Sequence, residues 1–181
     1  MKLTSVQDGF FKNKFITIPI PEEAKKVETT LRSMGMNGVI DKFHMSLNRA
    51  AEEASGQAVD IFNSAIMQLT FQDVVSIWKG DVHAATDYLK KTSTSQLEAA
   101  FRPIVRKTIE SNGVAKNWKD VADIYNKVPF VQPVNPDLES YVTQRAIDGL
   151  FVMVAQEEEK IREDPAARTT DLLKRMFGAN N

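Results

Sequence analysis

Between Ile40 and Leu69 the apolar residues fall at steps of three and four: Ile40, Phe43, Leu47, Ala51, Ala54, Ala58, Phe62, Ala65 and Leu69. That is the period of an α-helix, and it offers a strand no alternating face. The spacing predicts one long helix over roughly residues 38–68. Ala50, Ala51, Ala54, Ser55, Gly56 and Ala58 are small, so a neighbouring helix can approach closely there. Past Ala58, Val59, Ile61 and Ile66 spread apolar character around the wheel, as in a helix enclosed on several sides.

A second long helix follows the cap-then-proline pair Asn135-Pro136 and runs to Asp164-Pro165, where the same device opens a last helix. Leu172, Leu173, Met176 and Phe177 would bury that last helix, and Gly178 would end it. Shorter helices are predicted between. Pro21-Glu22-Glu23 opens one whose inner face is Ala24, Val27, Leu31 and Met34, closed by Gly35. Thr70, with Asp73 as capping-box partner, opens one that stops at Gly80. Asp81 reads as the cap of a helix through Ala84, Ala85, Tyr88 and Leu89. Ser95-Gln96-Leu97-Glu98 reads as the capping box of another, kinked by Pro103. Asn117 is placed to cap one through Trp118, Val121, Ile124 and Tyr125. Residues 1–20, broken by Gly9 and Pro19, read as an irregular arm with Phe15-Ile16-Thr17-Ile18 extended on the surface. Residues 128–135 read as a Pro-rich linker between helical halves. The expectation is an all-α fold: one compact multi-helix domain over residues 1–181, two long central helices and a short N-terminal arm.

Composition removes several classes of function. With 181 residues, a net charge of −1 and no block of like charge, the chain has no concentrated basic face for nucleic acid. It has no cysteine, so disulfides, thiol nucleophiles and zinc–thiolate sites are excluded. No apolar run approaches the roughly 20 residues of a transmembrane helix, and the N-terminus lacks a signal-peptide core. Asp41 and His44 share a helix face as in helical di-iron sites, but His83 has Gly80 at the matching place and the second motif is missing. There is no Gly-rich phosphate loop and no nucleophile elbow. No cofactor or metal is implied.

What remains is a set of charged residues in apolar surroundings. Asp148 stands beside Ala146 and Ile147 and ahead of Gly149-Leu150-Phe151-Val152-Met153-Val154, where a charge needs a partner, a proton or water. It is expected to be mostly buried and bonded to an arginine, Arg145 or Arg49, or to helix-end amides. Arg49 can pair with Glu52 or Glu53 one turn on, and Glu158 with Arg162 at i+4. The expected polar centre is Asn48, Arg49, Glu52, Asp148, Glu158 and Arg162, joining the two long helices, with Thr86, Tyr88 and Arg168 as weaker members. Its first reading is structural. A second reading makes Glu52, Asp148 or Glu158 acid–base groups of an enzyme. A third is a carrier of a small apolar ligand, its pocket lined by some of Trp78, Tyr88, Trp118, Tyr125 and Tyr141.

The chain also resembles the bacterial domain-of-unknown-function 4197 family. In the first half the likeness lies in Asp8-Gly9-Phe10, Ile18-Pro19-Ile20-Pro21, Leu47-Asn48-Arg49-Ala50-Ala51-Glu52, Ala65-Ile66, Gly80, Ala84-Ala85-Thr86-Asp87-Tyr88 and Phe101-Arg102-Pro103-Ile104. In the second half it lies in Tyr141-Val142-Thr143, Asp148-Gly149-Leu150-Phe151, Glu157-Glu158, Ile161-Arg162, Asp164 through Thr170 and Phe177-Gly178. The resemblance implies an exported periplasmic or envelope protein whose leader has been trimmed from this chain. It implies no reaction. Together these readings favour a non-catalytic binding or interaction module, for a protein partner or a small apolar ligand, over an enzyme.

Overall fold

The computed structural model describes residues 4–111, 118, 137–171 and 174. They form six α-helices: α1 (Lys25–Ser33), α2 (Asn37–Ser55), α3 (Ala58–Met67), α4 (Phe71–Lys79), α5 (Ala84–Ser111) and α6 (Leu138–Glu163). Short 3₁₀ turns at Glu22–Ala24 and Pro165–Ala167 complete an all-α architecture, with no strand among the described residues.

The predicted 38–68 helix is two helices. At Gly56 and Gln57 the amides bond to carbonyls three residues back, Glu53 and Ala54, so the ladder tightens for one turn and restarts as α3. Glycine supplies the weak point, since it contributes least to holding a helix rigid. The small stripe performs as its spacing suggests: Ala50, Ala51, Ala54 and Ala58 are completely buried. Against α2 pack α5, through Leu97, Phe101 and Val105, and α6, through Val142, Ala146, Ile147 and Leu150. These three helices hold the core.

α5 is the longest helix, 28 residues where two shorter ones were expected. The Ser95 box lies in mid-helix and starts nothing. Just before it the hydroxyls of Thr92, Ser93 and Thr94 donate back to the carbonyls of Tyr88, Leu89 and Lys90, an arrangement that keeps such residues inside a helix. Pro103 sits within the helix, where the sequence places it.

Local signals held better at other ends. The Thr70–Asp73 capping box of α4 is complete in both directions. At Gly80 a side chain would place its Cβ 2.5 Å from that of Ala84 and 2.8 Å from the Ser76 carbonyl, so only glycine permits the turn into α5. Gly35, at φ 79°, closes α1 with the Schellman pair of bonds, Met36 to Leu31 and Gly35 to Arg32. The inner face of α1 is shallower than expected: no residue of the helix is buried and Met34 is exposed. Asp137 caps α6 by accepting the Ser140 amide. The Asn135-Pro136 cap, the 128–135 linker, the Asn117-led helix beyond Trp118 and the apolar residues of the last helix lie outside the described residues.

The N-terminal arm is irregular, as expected, but it does not lie on the surface. Phe10, Ile16, Ile18 and Ile20 belong to the buried core, and only Phe15 of the predicted surface stretch is well exposed. Phe10 enters over Gly149 of α6, where a Cβ would come within 2.7 Å of the ring.

Candidate functional site

The predicted polar centre resolves into two clusters and one outlier. The first joins α2 to the arm. Asn48, with 0% of its surface exposed, behaves as a piece of backbone: its Oδ1 accepts the Ile18 amide at 2.8 Å and its Nδ2 donates to the Ile18 carbonyl at 3.0 Å. A second Nδ2 bond, 2.9 Å to the His44 carbonyl, ties the same amide to its own helix. One turn on, Glu52 Oε1 accepts the amides of Phe10 and Phe11 at 3.1 and 3.2 Å, while Oε2 accepts from Arg49. Arg49 reaches onward to Asp8 at 2.6 Å, and Lys12 closes on Asp8 at 2.7 Å. Hydrogen bonds from Lys12 and then Arg49 hold the Asp8 carboxyl below its ordinary range. Asp8 adopts φ 68°, a left-handed backbone that aspartate tolerates better than most residues. Glu53, the other sequence candidate for Arg49, instead accepts the Thr108 hydroxyl of α5.

The second cluster joins α6 to the start of α5. Helix N-termini leave amides without intrahelical partners and carry partial positive charge. Here the carboxylate that meets them comes from 72 or 73 residues away. Glu158 Oε1 accepts the Ala85 amide at 2.9 Å, and Oε2 accepts the Thr86 amide and hydroxyl, both at 2.8 Å. Arg162 adds bonds of 3.0 and 2.8 Å to Oε1 and a third, 2.8 Å, to the Ile77 carbonyl at the end of α4. Burial pushes the Glu158 carboxyl up, but the Ala85 and Thr86 donors and Arg162 together pull it below the ordinary range. Arg168 performs the reverse service at the far end of α6, donating to the carbonyls of Ile161 and Arg162. Tyr88 lies half-buried on α5, and its carbonyl accepts the Thr92 hydroxyl.

Asp148 joins neither cluster. It is half-buried and accepts from Gln144 at 3.0 Å, and no ion pair among the described residues involves it. Arg145 lies instead over the Tyr141 ring. The apolar run around Asp148 misled because sequence neighbours on a helix point about 100° apart. Of its four neighbours one turn away, Gln144, Arg145 and Val152 are exposed and only Phe151 is buried, so Asp148 sits at the edge of the buried face. Asp8 is the participant that sequence reasoning missed: it appeared only as part of a resembling segment, and its distance from Arg49 hides the pair.

The cavity lies beside the second cluster. A half-open groove of about 440 Å³ runs between α3 and α6, with the start of α5 as its floor and Ile77 of α4 at one side. α3 contributes Val59, Phe62, Asn63 and Ile66, while α6 contributes Leu150, Met153, Val154 and Ile161. Glu158 and Arg162 edge it with charges already engaged by each other and by backbone. Thr4 of the arm completes the wall, its buried hydroxyl without a hydrogen-bond partner among the described residues. Of the aromatic residues proposed for a pocket, Trp78, Tyr88, Trp118 and Tyr141 are not among the described residues that line this groove, and Tyr125 lies outside the described residues; Phe62 does line it, its ring packed at a tilt on Phe151. Among the described residues no cluster of three metal-ligating side chains occurs, and no helix is long and apolar enough to cross a membrane.

These features define an all-α domain in which buried carboxylates cap backbone and an apolar groove lies open beside them. The chain belongs to the family described as "Protein of unknown function (DUF4197)", which matches residues 1–178. No curated protein and no solved structure matches it.

Proposed function

We propose that this protein is a non-catalytic binding module of the cell envelope whose ligand is a small apolar molecule held between α3 and α6. The groove carries this reading: its volume is within the range of small-ligand sites, and aliphatic side chains dominate its walls. The acid–base alternative has less support. Glu158 already accepts from Ala85, Thr86 and Arg162, and Glu52 from Phe10, Phe11 and Arg49, so a proton transfer at either would break the contacts that fix it. The envelope location is what the family resemblance implies.

Titration with 1-N-phenylnaphthylamine, a probe that fluoresces in apolar sites, tests the proposal. The wild-type chain is expected to bind it saturably. Val59→Trp, at a partly exposed position of the groove wall, is expected to weaken binding at least tenfold with an unchanged melting temperature. Ile66→Asp gives a second variant if the first fails to fold. Saturable binding that neither variant disturbs removes the groove from consideration, and no binding at all removes the proposal.

A further inference from the structure

The corner between α3 and α4 is short of charge. From Ile61 to Trp78 the single charged side chain is Asp73, in a chain of which 26% is charged. Asp73 is itself engaged: its carboxylate accepts the Thr70 amide and hydroxyl, and Lys91 of α5 attracts it. What the corner presents to solvent is apolar. Met67 ends α3 and is 87% exposed, and Phe71 opens α4 and is 84% exposed. Ile66 and Val74 beside them in the chain are exposed as well. At such exposure no neighbour covers the flanks of the side chain, so Met67 and Phe71 project from the surface instead of lying in it.

α4 extends the patch. Phe71, Val74, Val75 and Trp78 fall at i, i+3, i+4 and i+7, one face of the helix. A surface helix ordinarily turns such a face to the core. Here no residue of α4 is buried: Phe71 and Val74 are exposed, and Val75 and Trp78 are half-buried. Gln72, Ser76 and Lys79 take the other side of the helix. Large apolar side chains gathered bare at one place mark a site of contact.

Charge and shape select the occupant. The corner carries no cation before Lys79, so it has nothing to draw an acidic protein or an anionic leaflet. A second copy related by a two-fold axis would set projection against projection, because such a contact uses the same patch twice. A bilayer needs no matching socket. Its fluid acyl chains close around a side chain, and an amphipathic helix lies in the interface with its apolar face down. We propose that the α3–α4 corner docks on the surface of a phospholipid bilayer by inserting Met67 and Phe71, held by apolar contact and not by charge. The proposal is independent of what the groove holds, since neither side chain is among the described residues that line it.

The test is flotation of the full chain with phosphatidylcholine vesicles in low and in high salt. The wild-type chain is expected to float with the vesicles equally in both, because no ion pair holds it there. Phe71→Asp and Met67→Ser are each expected to weaken binding at least tenfold. Both positions are at the surface and an acid suits the first turn of α4, so the melting temperature should hold in each. Absence of flotation overturns the proposal, as does flotation that neither variant weakens or that requires anionic lipid and vanishes in high salt. A wild-type dimer in sedimentation equilibrium that Phe71→Asp splits overturns it too, and gives the corner to a second copy. Binding of 1-N-phenylnaphthylamine should persist in both variants, so failure of this proposal leaves the groove reading standing.

Discussion

Glu52 and Glu158 are chemically the same device in two settings. Each is a buried glutamate on a long helix, paired with an arginine one turn away and accepting two consecutive backbone amides from a distant segment. Glu158 receives amides of α5, a helix that also packs along α2 and α6. Glu52 receives amides of an arm with no regular structure, held otherwise by Asn48 and by apolar residues set into the core. The difference teaches what a buried carboxylate contributes. Where the partner segment has its own hydrogen-bond ladder, the carboxylate completes a structure. Where it has none, the carboxylate is much of the structure.

The strongest challenge to that contrast is Phe10→Ala. Phe10 is completely buried over Gly149, so its removal leaves a cavity as well as losing burial and is expected to cost about 4 kcal/mol in chemical denaturation. A loss under about 1 kcal/mol would mean the arm is a covering and not part of the core. Next, Glu158→Ala strips partners from the Ala85 and Thr86 donors and leaves Arg162 without its carboxylate, and is expected to cost about 3 kcal/mol. Hydrogen exchange should then accelerate throughout the helical core, because α5 is central to it. Glu52→Gln removes the charge facing Arg49 but keeps an acceptor for Phe10 and Phe11, and is expected to cost about 2 kcal/mol. Here exchange should rise at the arm amides well before it rises in α5 and α6. If both variants loosen the same amides equally, arm and core form one cooperative unit and the contrast fails.

How far this was legible depended on how local each cause is. The buried stripe Ala50, Ala51, Ala54 and Ala58 could be read because helical period is a property of neighbours. The Thr70–Asp73 box and the Gly35 closure could be read for the same reason. The Arg49–Glu52 and Glu158–Arg162 pairs followed from their spacing, but not the jobs that Asn48, Glu52, Glu158 and Arg162 do beyond them. Their partners are backbone amides and carbonyls of Ile18, Phe10, Phe11, Ala85 and Ile77, which any sequence possesses and none advertises. Continuity of α5 through Ser95 was misread because tertiary packing outweighed punctuation that is decisive only in isolation. Asp148 was misread by treating flanking residues as neighbours, when the wheel places it with Gln144 and Val152. The groove had no sequence signal, since its two main walls are helix faces brought together only by folding.

Acid should act on both regions in the same direction. Asp8 and Glu158 have carboxyl groups held below their ordinary range in the folded chain. Such groups contribute stability that is fully present above the unfolded-state value and is lost as pH falls through the folded value. The melting temperature should therefore be flat near neutrality and fall between about pH 5 and about pH 2. In Glu158→Gln that fall should be shallower, because one of the two groups no longer titrates. An unchanged acid limb would show that the Glu158 cluster holds no net linkage to folding.

The smallest effect expected is that of Asp8→Asn, and it sharpens the contrast most finely. Asparagine accepts the same left-handed backbone, so the φ of 68° is preserved and only charge is lost. Arg49 keeps Glu52, and the arm keeps its bonds to Glu52 and Asn48. Asp8 is partly open to solvent and its pairs with Lys12 and Arg49 are screened, so the loss in melting temperature should be the smallest of the series and shrink as salt is added. Amide exchange at Phe10 should rise by no more than about fivefold, with α5 and α6 unaffected. A larger, salt-insensitive loss would place the arm's anchor at Asp8 and reduce Glu52 to a partner that orients Arg49. The arm would then be held by a charge at the surface, and the likeness between Glu52 and Glu158 would be one of geometry without a shared role.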